Sequence, residues 1–149
     1  QNFFIHQQSH ISFNDFDEGM NYAKKEKKPV LVNFSGHGCV NCRKMEASVW
    51  TDEQVNSILT NDVVLITLFV DDKKKLDTPI IIEENGKKRT LETIGDRNSY
   101  LQRVKFGANA QPFYVLLNNE GSPLEKAYAF DENPQNFVAF LEKGLKNYN

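Results

Sequence analysis

Apolar and polar positions alternate along this 149-residue chain in a way that divides it into strands and helices taking turns. His10-Ile11-Ser12-Phe13 alternates with a period of two and predicts a short strand. Asn14 or Asp15 stands where a helix cap is expected. Phe16, Met20 and Ala23 then recur at helical spacing, which predicts a helix to about Lys27, closed by Pro29. Residues 30–35 are almost continuously apolar, with Asn33 the polar exception, as in a central strand covered on both faces. Lys44 to Trp50 reads as helix. Thr51 or Asp52 caps a second helical piece carrying Val55, Ile58 and Leu59, and Val63 to Val70 is a second buried-strand pattern. Two strand-like arms, Ile80-Ile81-Ile82 and Lys88 to Leu91, flank Asn85-Gly86 and predict an inserted β-hairpin near 79–91. Gly95 to Phe106 is helix-like, with Tyr100, Leu101 and Val104 as its apolar stripe. Phe113 to Leu117 and Leu124 to Phe130 read as the two strands of a second hairpin. Pro134 opens a last helix that buries Phe137, Phe140, Leu141 and Leu145.

The first half alternates strand and helix, which favours parallel pairing; the terminal hairpin favours antiparallel pairing. The expected fold is therefore α/β, three layers deep, with a mixed central sheet and helices on both faces. Residues 1–10 are a polar, flexible lead-in and 11–149 a single domain. A hydrophobic fraction of 40% with 11 Phe suits a packed core and argues against disorder. Net charge is only −2 and no basic face appears, so nucleic acid is not an expected partner. Lys24-Lys25-Glu26-Lys27-Lys28 reads as a solvated helix end. No apolar run approaches the ~20 residues of a membrane span, and no signal peptide is visible. The chain starts at Gln1, which suggests a processed protein or a domain of a longer one.

The chemistry concentrates in Gly38-Cys39-Val40-Asn41-Cys42-Arg43-Lys44-Met45-Glu46. Cys39 and Cys42 are the only cysteines in the chain. An apolar strand, a glycine-broken loop, Cys-x-x-Cys and a helix form the context in which such a pair is redox-active. A thiolate is the attacking species, and a helix N-terminus stabilises it. Cys39 is thus the candidate nucleophile and Cys42, one turn on, the resolving thiol. Glu46 shares a helical face with Cys42 and is a candidate proton acceptor, against its reading as a solvated helix residue. His37 is a candidate source of positive charge beside the thiolate, against its reading as a plain loop histidine. Arg43 and Lys44 read as surface residues. The competing chemistry is zinc, with His37 as a third ligand and His6 or His10 as a fourth, although the spacing fits no standard pattern.

These residues, followed by Val49-Trp50-Thr51-Asp52-Glu53-Gln54-Val55, are similar to the thioredoxin superfamily. Within it they resemble the C-terminal thioredoxin-like domain of the DsbD thiol:disulfide interchange proteins. The resemblance covers about residues 11–147 and is weakest over 72–94. It implies a thioredoxin-like fold with no cofactor beyond a redox-active disulfide. It implies a monomeric periplasmic domain that takes electrons from a membrane-embedded donor and reduces oxidised extracytoplasmic proteins. It makes Cys39 the nucleophile, Cys42 the resolving cysteine, Glu46 the nearby acid and Pro112 the cis-proline beside the disulfide. Two positions depart from the family pattern: Gly38 replaces a tryptophan before the first cysteine, and Asn33 replaces a buried aspartate that handles protons. A disulfide oxidase or isomerase, and a non-catalytic binding module on the same fold, stand as alternatives.

Overall fold

The structure is a computed structural model, and it describes residues 12–148. The lead-in expected over residues 1–10 lies outside the described residues. The elements in chain order are β1 (Ser12–Phe13), α1 (Phe16–Glu26), β2 (Val30–Ser35), α2 (Val40–Ser48), α3 (Glu53–Asn61), β3 (Val64–Phe69), β4 (Lys75–Glu84), β5 (Lys87–Thr93), α4 (Ile94–Phe106), β6 (Phe113–Leu117) and α5 (Pro134–Lys146). Local signals set most of the boundaries. Asp15 caps α1, its side chain accepting the Glu18 N–H at 2.9 Å, and Asp52 caps α3 through the N–H groups of Gln54 and Val55. Asn133 caps α5 with Pro134 in its first turn.

The main sheet has the order β1-β3-β2-β6. β3 pairs in parallel with both β1 and β2, and β6 pairs antiparallel with the far edge of β2. All six residues of β2 are buried. The pleat sends Leu31 into one core with Met45, Val49, Val55, Leu59, Phe137 and Leu141, the cover supplied by α2, α3 and α5. It sends Val30, Val32 and Phe34 into a second core with Ala23, Ile66 and Leu68, bordered by Phe16 and Met20 from α1 and Leu101 and Phe106 from α4. The three-layer expectation is met.

β4 and β5 form the inserted hairpin as a separate two-stranded sheet. Asn85 and Gly86 take φ of 54° and 77°, as a two-residue turn with both central residues left-handed requires. The hairpin enters and leaves at one place. Lys75 pairs with Thr93, and the Ile94 N–H donates to the Lys74 carbonyl at 2.8 Å.

Two expectations need correction. Leu124 to Phe130 is not a strand. It makes isolated antiparallel bridges, Leu117 with Pro123 and Tyr114 with Tyr128. Two residues of β6 separate those partners on one side and four on the other, so the segment bulges off the edge. Pro123 also brings no N–H to the ladder. The second correction concerns α4. Val104 is exposed, and the buried row of this helix is Gly95, Asn98 and Gln102. Asn98 Nδ2 donates to the Phe69 carbonyl at 3.0 Å and Gln102 Nε2 to the Ala110 carbonyl at 2.9 Å. The helix docks partly through amides that satisfy carbonyls at chain ends, so its apolar stripe misreports its buried face.

Gly95 permits that docking. A Cβ there would stand 2.6 Å from the Val70 carbonyl oxygen and 2.7 Å from that of Asp72, both backbone atoms that cannot turn aside. Gly95→Ala is expected to destabilise the fold by about 1–3 kcal/mol, the usual range for overpacking. A urea unfolding midpoint equal to that of the parent would show that the helix can slide away without cost.

Candidate active site

Cys39 and Cys42 form a disulfide with Cα atoms 5.3 Å apart, at the start of α2. Cys39 is the N-cap residue, and its Sγ accepts the Cys42 N–H at 3.2 Å. It therefore occupies the place where unpaired N–H groups and the helix dipole favour an anion. Cys39 is half-buried, whereas Cys42 is 2% exposed. An incoming group thus meets Cys39 first. Val40, between them, is 67% exposed and offers an apolar contact next to the reactive sulfur.

The loop ahead of the pair is held from β3. Asp71, two residues past the end of that strand, accepts the His37 N–H on Oδ1 at 2.8 Å and the Gly38 N–H on Oδ2 at 3.1 Å. Burial works against this charge. The N–H groups of His37, Gly38 and Asp71 itself, together with the nearby His37 side chain, outweigh it and hold the carboxyl below its ordinary range. The loop closes on itself through the Cys39 N–H, which donates to the Gly36 carbonyl at 3.2 Å. The His37 ring lies flat on Phe69, centroids 3.9 Å apart and planes 9° from parallel.

On the buried side, Asn33 and Ser35 share the pleat face of Leu31. Asn33 is 1% exposed; its Nδ2 reaches Thr67 Oγ1 at 3.4 Å, and its Oδ1 has no partner among the described residues. Arg43 is a surface residue, as expected, and its guanidinium also reaches inward. One of its Nη groups donates to Ser35 Oγ at 3.1 Å and to Glu46 Oε2 at 2.8 Å. Burial pushes the Glu46 carboxyl up, and the Arg43 charge and hydrogen bond pull it back only in part, so it stays above the ordinary glutamate range. In the turn after α2, Trp50 Nε1 donates to the Tyr114 hydroxyl at 3.2 Å.

Pro112 precedes β6, whose first residue, Phe113, is paired with Phe34 near the end of β2. The Gln111–Pro112 bond is cis. Gln102, completely buried on α4, fixes the loop before it. Its Nε2 donates to Ala110, and its Oε1 accepts from Gln111 Nε2 at 3.0 Å. Thus α4 ties both strand ends that border the motif: Asn98 holds β3 and Gln102 holds the loop into β6.

Asp71, Asn98 and Gln102 escape the sequence reading. The available signals were an acid directly after a buried strand and two amides at i and i+4 on a weakly apolar helix. Ser35 gives no signal at all. For zinc, no group of three or more His, Cys, Asp or Glu side chains suited to a metal gathers among the described residues. His6 and His10 lie outside them.

A mixed sheet clad by helices, with a Cys-x-x-Cys disulfide at a helix N-terminus and a cis-proline at the neighbouring strand, defines a thioredoxin-fold protein of the disulfide oxidoreductase type. Residues 11–119 match the Thioredoxin-like family, and the chain belongs to it. It is similar to the thiol:disulfide interchange protein DsbD of Ralstonia nicotianae, at 27% identity over 134 residues. That match covers 90% of this chain and 18% of the relative's length. Among solved structures its fold resembles a DsbH oxidoreductase, with a TM-score of 0.67, 16% identity and coverage of 92% of this chain and 85% of that one. It also resembles the reduced C-terminal domain of DsbD from Neisseria meningitidis, with a TM-score of 0.61, 17% identity and coverage of 89% and 98%.

Two outcomes follow from these contacts. Asp71→Asn leaves one of the two loop N–H groups without its acceptor and is expected to lower the thermal midpoint at neutral pH. The parent's advantage comes from a depressed carboxyl pKa, so it is present above the unfolded-state value and disappears as the pH falls through the folded value. Melting curves between about pH 3 and 7 should therefore converge at the acid end; a gap independent of pH would rule out the carboxylate as its source. Arg43→Gln removes the cation that restrains Glu46 and is expected to raise the Glu46 pKa further. Side-chain carbonyl NMR titration would read this, and an unchanged or lower midpoint would contradict it.

Proposed function

We propose that this chain is a protein-disulfide reductase in which Cys39 attacks and Cys42 resolves. The observation that carries the reading is the asymmetry of the disulfide: Cys39 half-buried at the helix cap, Cys42 sealed behind it. In the reduced protein the Cys39 thiolate attacks one sulfur of a substrate disulfide. A mixed disulfide forms and the substrate's other sulfur leaves as a thiolate. Cys42 then gives up its proton and attacks Cys39 Sγ. The Cys39–Cys42 disulfide forms and the second substrate sulfur leaves, so that two electrons have passed to the substrate. A dithiol donor restores the pair by the same exchange in reverse.

Glu46 is the proton acceptor for Cys42 in this reading. Its raised pKa brings a carboxylate closer to the thiol's range, and the Asn33 amide cannot accept a proton at neutral pH. In this reading Pro112 is the cis-proline beside the disulfide, and the His37 side chain, stacked on Phe69, is the candidate loop group near the nucleophile. The likeness to part of DsbD supports a periplasmic setting, a membrane-embedded donor and oxidised extracytoplasmic proteins as acceptors, with the chain acting as a monomer. No helix among the described residues is long and apolar enough to cross a membrane.

Insulin reduction followed by turbidity tests the core of this. The parent protein is expected to accelerate precipitation, Cys39→Ser to abolish it, and Cys42→Ser to accumulate a mixed disulfide visible on a non-reducing gel. Parent activity no higher than that of Cys39→Ser would sink the reading. Equilibration with glutathione separates a reductase from an oxidase: a potential near about −270 mV fits the former and one near about −120 mV the latter.

A further inference from the structure

The inserted hairpin carries a charged cleft that the redox chemistry does not use. A cavity of about 610 Å³ opens between the hairpin tip, α4 and the loop that leads to Pro112, lined by Glu84, Asn85, Lys87, Lys88, Arg89, Arg103 and Asn109. Its size is within the ~300–1,000 Å³ of ligand-binding clefts. Three of these cations, Lys87, Arg89 and Arg103, stand on the side of Glu84, and Lys88 stands at the rim, opposite Glu83 on the paired strand. The lining thus holds more cations than acids on a chain whose overall charge is −2.

The one acid is already engaged. Glu84 accepts Arg103 Nε at 2.7 Å and Nη2 at 2.9 Å, and Arg89 Nη1 at 2.8 Å. The Arg103 hydrogen bond leads in holding its carboxyl below the ordinary range despite burial. Lys87 and Lys88 carry no ion pair among the described residues. The hairpin register puts Ile82, Glu84, Lys87 and Arg89 on one face, towards α4, and leaves Glu83 opposite Lys88 on the outer face. Asp96, the other acid near these arginines, is occupied by the N–H groups of Glu92, Thr93 and its own cap.

Asn109 places the cleft beside the loop that leads into the cis-proline and β6. It lies three residues before Pro112, so their Cα atoms are at most about 11 Å apart. We propose that this cleft docks an acidic segment of the protein whose disulfide is presented to Cys39. This rests on the reductase reading above. The docked segment supplies carboxylates to Lys87 within the cleft and to Lys88 at its rim while its cysteine reaches the sulfur beside Val40.

The test reads binding without turnover. A short fluorescein-labelled peptide of aspartate, glutamate and glycine is titrated with the oxidised protein and followed by anisotropy; a counterpart with asparagine and glutamine serves as the neutral probe. The acidic peptide should bind the parent at least about tenfold more tightly than the neutral one at low ionic strength, and lose that preference near 0.5 M salt as charges are screened. The double variant Lys87→Glu/Lys88→Glu should weaken acidic-peptide binding by about tenfold or more. The charge-matched variant Lys24→Glu/Lys25→Glu, on the last turn of α1, should leave it unchanged. Equal binding of the two peptides, or equal loss in both double variants, overturns the proposal. Because no electrons move, a failed insulin assay would not alter this result, and absent peptide binding would not alter the insulin result.

Discussion

β2 is hydrogen-bonded along both edges and buried on both faces, and the geometry of the candidate site follows from that confinement. A strand so placed cannot shift register by one residue without turning Leu31 and Val32 into each other's cores. Its end point is therefore fixed, and with it the first turn of α2 and the position of Cys39. The neighbouring strands then add the surroundings. β3 ends beside it and contributes Asp71 to the loop; β6 begins beside it and contributes the cis bond before Phe113. Parallel and antiparallel neighbours on opposite edges bring a strand end and a strand beginning to the same side of the sheet.

The parts of this arrangement that were legible in the sequence are those set by neighbours along the chain. Asp15, Asp52, Asn133 and Pro134 announce helix starts through local hydrogen bonds, and Asn85-Gly86 announces its turn through its dihedrals. The Cys-x-x-Cys spacing is equally local. What could not be read are pairings between residues far apart in sequence: Asp71 with His37 and Gly38, Asn98 with Phe69, Arg43 with Ser35. α4 shows why. Its burial is decided by which carbonyls lie unpaired beneath it, a property of the assembled sheet rather than of the helix. Leu124 to Phe130 failed for a related reason. Its apolar residues serve an aromatic cluster, Tyr128 against Tyr114, Phe137 and Phe140, and such packing does not require a regular ladder.

The surroundings of the buried sulfur set this chain apart from the pattern it resembles. Asn33 supplies a dipole where the resembled pattern has a carboxylate, and its Oδ1 has no hydrogen-bond partner among the described residues. Arg43 stands between the strand and the helix, bonding a buried hydroxyl with one hand and a carboxylate with the other. The acid on this helix thus sits in a partly exposed ion pair, with side chains 42% and 35% exposed, and not in a sealed site. Such a pair responds to ionic strength and to whatever protein covers it.

The hairpin's two roots lie side by side, Lys74 bonded to Ile94 and Asp72 to Gly95, one residue from the carboxylate that steadies the cysteine loop. The tip is held as well, since Glu84 beside the turn is clamped by Arg103 of α4. One helix thus carries both the far end of the hairpin and, through Gln102, the loop that enters β6, so that a push on the tip is felt at the edge of the dithiol's frame.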